Sequence, residues 1–451
     1  MATKVLDRLT VAASPPAPGG VLPLTFFDVP WLFTGPVERV FFYPYPHPIE
    51  HFTARLLPNL TSSLSAALHG FYPLLGRVRP CPDGYEFCST GGDAGGVELT
   101  VAESSDDFDD LSSGGARDVS RLYALVPQLP RTEDGSFALA AAQVTVFAGK
   151  GLAVGVSIHH VACDDSSYMH FVKTWAGQCR VAAGEDAAAA VPPPPFLDRG
   201  VIADPEGRAA RTLDEMRQLA ANGPPPPPPP GPPLKLVIAS YALSRDCIDK
   251  LKQRVVATGT GSANGGGRVH CSAFTVACAF AWACLARVDG SCAGKKRAHL
   301  LFSVECRRRL TPPVPQEYLG NCLRPCFVDV DMGELLGADG VVTAAAAIGA
   351  AIRGLDDGVL DGADGWFHKI LSLVPERPMS VGGSPRYGVY DTDFGLGRPS
   401  KVELVSIDKT PGTVSLAEGR DAQAGIQIGV VLPEAEMAQF SSCFSDGLKQ
   451  L

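Results

Sequence analysis

Two adjacent histidines and two adjacent aspartates lie close together in His159-His160-Val161-Ala162-Cys163-Asp164-Asp165. An imidazole that titrates near neutrality can take a proton from an alcohol, and a carboxylate nearby can fix its orientation or organise the loop that carries it. The spacing of His160 and Asp164 arises by chance in roughly one chain of this composition in two, so it carries little weight alone. Its context adds weight, because the segment follows the apolar run Leu152 to Ile158, where the chain leaves a buried strand. The competing nucleophiles fit poorly. Ser157 lacks the flanking glycines of a hydrolase elbow, and Cys163 has no independent orienting feature. His170 shares no obvious face with His159 or His160, so no metal site is expected.

The elements that must position this segment follow from periodicity. Strand character runs from Val21 to Tyr45, Val97 to Val101 and Phe137 to Phe147, and leucines at 56, 57, 60, 64 and 68 mark a helix over 49–69. Between Val181 and Pro233 the text becomes Ala/Pro-rich and includes seven prolines from Pro224 to Pro230, which reads as a stiff crossover. Beyond it a strand (234–243), a helix (246–256), a glycine loop (259–267), a helix (272–286), a strand (298–304) and a helix (341–355) follow. Alternating Ile426, Ile428 and Val430 then precede a last helix. The glycine loop lacks the register of a dinucleotide cradle, since Asn264 stands where the third glycine would be. Strands and helices alternate in both halves, which argues for α/β layers in two domains of similar size, 1–180 and 234–451, joined by 181–233.

Composition narrows the partners. Of the 451 residues 45% are hydrophobic and 19% charged, as in globular chains. Thirty-nine basic against 48 acidic residues give a net charge of −9, which disfavours nucleic acid and anionic membranes. The thirteen cysteines form no Cys-x-x-Cys pair, in keeping with a reducing compartment. The segment from Met1 to Ser14 lacks a signal-peptide core, and the apolar run from Val341 to Ile352 is too short to span a bilayer, so a cytoplasmic location is expected.

Two motifs in this order resemble the plant BAHD acyltransferases, which share His-x-x-x-Asp and, downstream, Asp-Phe-Gly-Trp-Gly. Here they stand as His160 to Asp164 and as Asp393-Phe394-Gly395-Leu396-Gly397, with Leu396 in place of the tryptophan. The stretches from Leu24 to Phe33, Phe71 to Arg77, Val304 to Arg309 and Tyr318 to Cys322 are similar to the branch that acylates anthocyanins and other phenolic glucosides. Leu319 departs from that branch's phenylalanine.

The resemblance implies a chloramphenicol acetyltransferase-like fold with an active-site channel at the domain interface. It implies a ternary-complex transfer from acyl-CoA, malonyl-CoA first and a hydroxycinnamoyl-CoA second, to a glucoside hydroxyl. His160 would be the base, with Asp393 as the second residue of the family's catalytic motifs, although there it braces the architecture. Asp164, paired with Arg307, and the glycines 395 and 397 would support the site. Ser272, Thr275, Arg268, Lys252 and Lys401 are candidates for the CoA phosphates, the first two because they open a helix. Acyl-CoA would be a co-substrate and not a resident cofactor, and a monomer is expected. A non-catalytic binding protein of the same fold and a thioester hydrolase remain alternatives.

Overall fold

The computed structural model describes residues 2–451 apart from 82–83, 90–94, 222–234, 260–270, 289–293, 356–357, 411 and 422. The run Pro224–Pro230, residues 260–267 of the glycine loop, and Arg268 lie outside the described residues.

Three sheets carry the fold. The first has six strands in the order Thr3–Val11, Val97–Ser104, Ala140–Phe147, Gly151–His159, Pro36–Pro44 and Lys401–Leu404. The second has seven, in the order Leu323–Asp331, Arg297–Glu305, Met379–Gly382, Thr413–Glu418, Ile426–Pro433, Leu236–Leu243 and Arg117–Asp118. A small third sheet of four strands includes Phe137–Ala138, so the run expected over 137–147 is divided between two sheets at Leu139. Each large sheet takes one strand from the opposite half of the chain: Lys401–Leu404 pairs antiparallel with Pro36–Pro44, and Arg117–Asp118 with Leu236–Leu243.

Amphipathic helices cover one face of each sheet. Leu60, Leu64 and Leu68 of Leu57–Gly70 and Val172, Trp175 and Cys179 of Asp165–Ala182 fill the core of the first. Helix Ala273–Val288 is apolar on nearly every face and correspondingly buried. It packs with Gly340–Arg353 and Glu434–Lys449 over the second sheet. Between the sheets a further cluster joins Val40, Phe42 and Val405 to Ile238 and Val431, so the two layers share apolar surface. Helix Asp165–Ala182 and the edge strand Leu323–Asp331 were not anticipated from periodicity.

Every residue of Gly151–His159 is buried, which explains its unbroken apolar text. It lies in the interior of the first sheet between Ala140–Phe147 and Pro36–Pro44, antiparallel to both. Gly155 is required there, because a Cβ would stand 2.0 Å from the Leu125 carbonyl oxygen. His160 follows directly on the C-terminal end of this strand, where its amide donates to the Gly35 carbonyl (3.2 Å).

Candidate active site

Segment 159–165 is a strand–turn–helix junction. Asp164 is the N-cap of Asp165–Ala182, its carboxylate accepting from the Ser167 amide at 3.0 Å. The same carboxylate is committed to partners other than His160. It accepts two bonds from Arg307, Nη1 to Oδ2 at 2.8 Å and Nη2 to Oδ1 at 3.1 Å, and one from the Cys322 amide at 3.1 Å, with both charged groups fully buried. Arg307 also donates to the carbonyls of Tyr318 and Gly320, so the cation ties the turn 318–322 to the helix start. Asp165 is held separately by Arg39, at 2.8 and 3.0 Å.

The His160 ring is fixed by two residues that the motif does not contain. Trp31 stacks on it with ring centroids 3.7 Å apart and planes 4° from parallel. Asn321 places its Oδ1 3.2 Å from His160 Nδ1. The amide orientation of Asn321 follows from its other partners: its Nδ2 donates to Asp28 Oδ1 (2.9 Å) and to the His160 carbonyl (2.8 Å). Its Oδ1 must then accept, so Nδ1 of His160 carries the hydrogen and Nε2 keeps its lone pair. Asp28 is in turn fixed by Thr25 and by the buried Arg199. Burial pushes the His160 pKa below its ordinary value, opposed by its own backbone contact, the two aspartates and Asn321, so the ring is neutral at neutral pH.

The neighbouring groups are poor nucleophiles. Burial pushes the Cys163 thiol well up, and the buried Ser157 hydroxyl donates to the Pro127 carbonyl at 2.6 Å. His159 is buried against Phe137, and burial, then His160, lowers its pKa to about 3. His170 bonds to the Pro193 carbonyl. No group of three or more metal-ligating side chains occurs among the described residues.

Asp393 Oδ1 accepts from the amides of Gly395, Leu396 and Gly397 at 2.8, 2.9 and 2.8 Å, which closes a tight loop. Gly395 (φ 83°) and Gly397 (φ 79°) take the left-handed conformation that this loop requires. Phe394 anchors it between Tyr43 and Trp175. The carboxylate is therefore occupied by its own loop, and none of its bonds reaches His160.

The phosphate candidates separate. Ser272 caps the helix start, its hydroxyl accepting from the Thr275 amide at 3.1 Å, and Lys252 lies near enough to offset part of the upward push that burial gives the Cys271 thiol. These three residues share one region of the second half. Lys401 does not join them. Alternation along Lys401–Leu404 turns it into the junction of the two sheets, where its Nζ lies 3.1 Å from Glu403 and 3.1 Å from Gln427, so it is corrected to a buried structural cation. Asn321, Asp28, Trp31 and Arg199 were not singled out from sequence as site residues. Their only signal was that the first three fall inside the stretches Leu24–Phe33 and Tyr318–Cys322.

Comparison with known proteins agrees with this geometry. The chain is 35% identical over 447 residues to the coumaroyl-CoA:anthocyanidin 3-O-glucoside-6''-O-coumaroyltransferase 2 of Arabidopsis thaliana, covering 95% of this chain and 94% of that protein. It is 34% identical over 446 residues to the malonyl-coenzyme A:anthocyanin 3-O-glucoside-6''-O-malonyltransferase of Dahlia pinnata, covering 95% and 93%. It is 35% identical over 438 residues to phenolic glucoside malonyltransferase 2 of Arabidopsis thaliana, covering 95% and 94%. Among solved structures, vinorine synthase shares the fold with a TM-score of 0.68 at 21% identity, covering 97% of this chain and 96% of that one. The F. sporotrichioides TRI101 complexed with coenzyme A and T-2 shares it with a TM-score of 0.66 at 16% identity, covering 94% and 97%. The Transferase family pattern matches residues 1–446, and the chain belongs to this family, that of the BAHD acyltransferases.

Proposed function

We propose that this protein is an acyl-CoA-dependent O-acyltransferase that moves an acyl group, malonyl in the first reading, onto a sugar hydroxyl of a phenolic glucoside. The observation that supports it most directly is the neutral His160 imidazole, with Nδ1–H committed to Asn321 and Nε2 free as a base. Nε2 takes the proton of the acceptor hydroxyl as that oxygen attacks the thioester carbonyl. The tetrahedral intermediate then expels CoA thiolate, which recovers the proton from Nε2. No acyl-enzyme forms on this route, in keeping with the buried Cys163 and the committed Ser157. The Ser272–Thr275 helix start and Lys252 are the proposed neighbourhood of the CoA phosphates, and Asp393 is proposed to brace the loop and not to touch substrate. The protein is proposed to act as a cytoplasmic monomer, and no described helix is long and apolar enough to cross a membrane.

A hydroxycinnamoyl donor is the second reading, favoured by one observation. Arg39, Arg199 and Arg307, three cations around the His160 turn, are each already paired with a buried or half-buried aspartate, so none of these three is left for a malonyl carboxylate. Thiol release from malonyl-CoA and coumaroyl-CoA, each with a panel of phenolic glucosides and their aglycones, tests both. Release that requires a glucoside establishes the transferase and names its donor. Release without acceptor would make the protein a thioester hydrolase, and silence across the panel would refute the acceptor class.

A further inference from the structure

Proton transfer charges the base. Taking the acceptor proton at Nε2 turns the His160 ring into an imidazolium, which lasts until the thiolate recovers that proton. Burial disfavours this cation, so a group beside the ring must stabilise it. The ionisable groups around the ring are the adjacent His159, Asp164 and Asp165 at the helix start, Asp28 behind Asn321, and Arg39, Arg199 and Arg307. Each aspartate is already paired with one of the arginines, so their charges cancel. Asn321 is neutral, and among the described residues no carboxylate forms a hydrogen bond or ion pair with the imidazole. In a Ser-His-Asp triad a buried carboxylate on Nδ1 stabilises the imidazolium, and here an amide oxygen stands in that place.

The indole of Trp31 does touch the ring. The two planes lie 4° from parallel with centroids 3.7 Å apart, so the π face of the indole covers one face of the imidazole. A cation within about 6 Å of an aromatic centroid is attracted to the negative face of that ring, and tryptophan does this best. The neutral imidazole gains only dispersion from the same contact, so the stack favours the charged state. The indole is also held in place. Trp31 ends the turn Val29–Trp31, and its amide donates to the carbonyl of Asp28 at 3.0 Å. The Asp28 carboxylate in turn accepts from the amide and the side chain of Asn321, at 3.1 and 2.9 Å. The group on the ring face and the group on Nδ1 are therefore fastened to each other through Asp28.

We infer that the Trp31 indole stabilises the His160 imidazolium during acyl transfer, in the place that a carboxylate fills in a triad. This rests on His160 being the base. Trp31 acts through His160 and is a positioning residue with an electrostatic share in the step. The proton leaves the acceptor oxygen, rests on Nε2 and ends on the CoA sulfur, and the indole lowers the energy of the stage at which it rests.

The test weakens the negative face of the indole while nearly preserving its shape. The protein is made with mono- and difluorinated tryptophan in place of its four tryptophans, and as Trp31→Leu. The His160 titration is followed by NMR of labelled histidine without substrate, its resonance assigned by its absence from His160→Ala. The expected result is a pKa that falls stepwise with each fluorine, toward a drop of about 0.5 to 1.5 pH units in Trp31→Leu. The acid limb of kcat/KM for thiol release should move down with it, a shift that mere positioning would not produce. Fluorine dependence should vanish in Trp31→Leu, since Trp175, Trp282 and Trp366 make no ring contact with His160. Fluorination keeps the test available even where Trp31→Leu does not fold. A His160 pKa unchanged across the fluorine series, or higher in Trp31→Leu than in wild type, would overturn the inference. A stepwise fall together with thiol release that is indifferent to His160→Ala would instead refute the base assignment, and the role of Trp31 with it, while the stack itself stands.

Discussion

Replacing Asp164 with alanine tests the reading of the junction most sharply, because one side chain performs three tasks there. It neutralises the fully buried Arg307, caps helix Asp165–Ala182 at the Ser167 amide, and accepts from the Cys322 amide. Breaking a buried pair by removing one partner costs about 3–5 kcal/mol, since the remaining charge is stranded away from water. Loss of an N-cap adds about 1 kcal/mol. The combined loss of about 4–6 kcal/mol is a large part of the stability of a typical domain, and it should lower the melting temperature by about 10 °C or more. Asp164→Asn keeps an acceptor for one of the two amides, since Ser167 and Cys322 bond to different oxygens of Asp164, and should fall between wild type and alanine. Differential scanning calorimetry measures the shift, and turnover assayed well below the melting transition separates stability from chemistry. An alanine variant that melts within about 2 °C of wild type would refute the stranded-charge argument. A hundredfold loss of turnover in fully folded, equally stable protein would instead make Asp164 part of the chemistry.

Three further outcomes follow from the same geometry. His160→Ala should lower turnover by roughly two to four orders of magnitude while the melting temperature changes little, as measured by thiol release and calorimetry side by side. Asn321→Leu frees the imidazole and its tautomer, so kcat should fall on the order of a hundredfold while the KM for acyl-CoA is nearly unchanged. His159 has its folded pKa lowered to about 3, first by burial, while the unfolded chain binds the proton near 6.5. Its contribution is therefore present above pH 6.5 and is lost as pH falls from 6.5 toward 3, by up to about 1.4 kcal/mol per pH unit. His159→Phe, which keeps an aromatic ring against Phe137, should flatten urea denaturation midpoints across that window.

The sequence made some parts of this site readable and hid others for definite reasons. His160 and Asp164 share one short segment at the end of a fully buried strand, where an unbroken apolar run gives way to titratable residues. The Asp164–Arg307 contact spans 143 positions and came only from the resemblance, while the geometry now supplies its cause in burial. Asn321 and Asp28 are 293 positions apart, and nothing in local spacing links a common amide to a common carboxylate at that distance. Helix Asp165–Ala182 was obscured because its first turn carries the same aspartate that drew attention as chemistry. The exchanged strands are too short, at two and four residues, to show a period. Lys401 illustrates the cost: taken as a candidate for the CoA phosphates, it is buried because its strand completes the other half's sheet.

That exchange bears on how the protein is made. The first sheet remains one strand short on the ribosome until Lys401–Leu404 has been synthesised, near the end of the chain. Until then Pro36–Pro44 presents an unpaired edge, the kind of surface that chaperones shield and that aggregation exploits. When the strand arrives it brings Glu403 to the buried Arg117, at 2.8 Å, and so ties the first sheet to the edge strand of the second. The two halves are thus fastened like interlocked fingers, and a cut in the crossover between them would leave the pieces clasped.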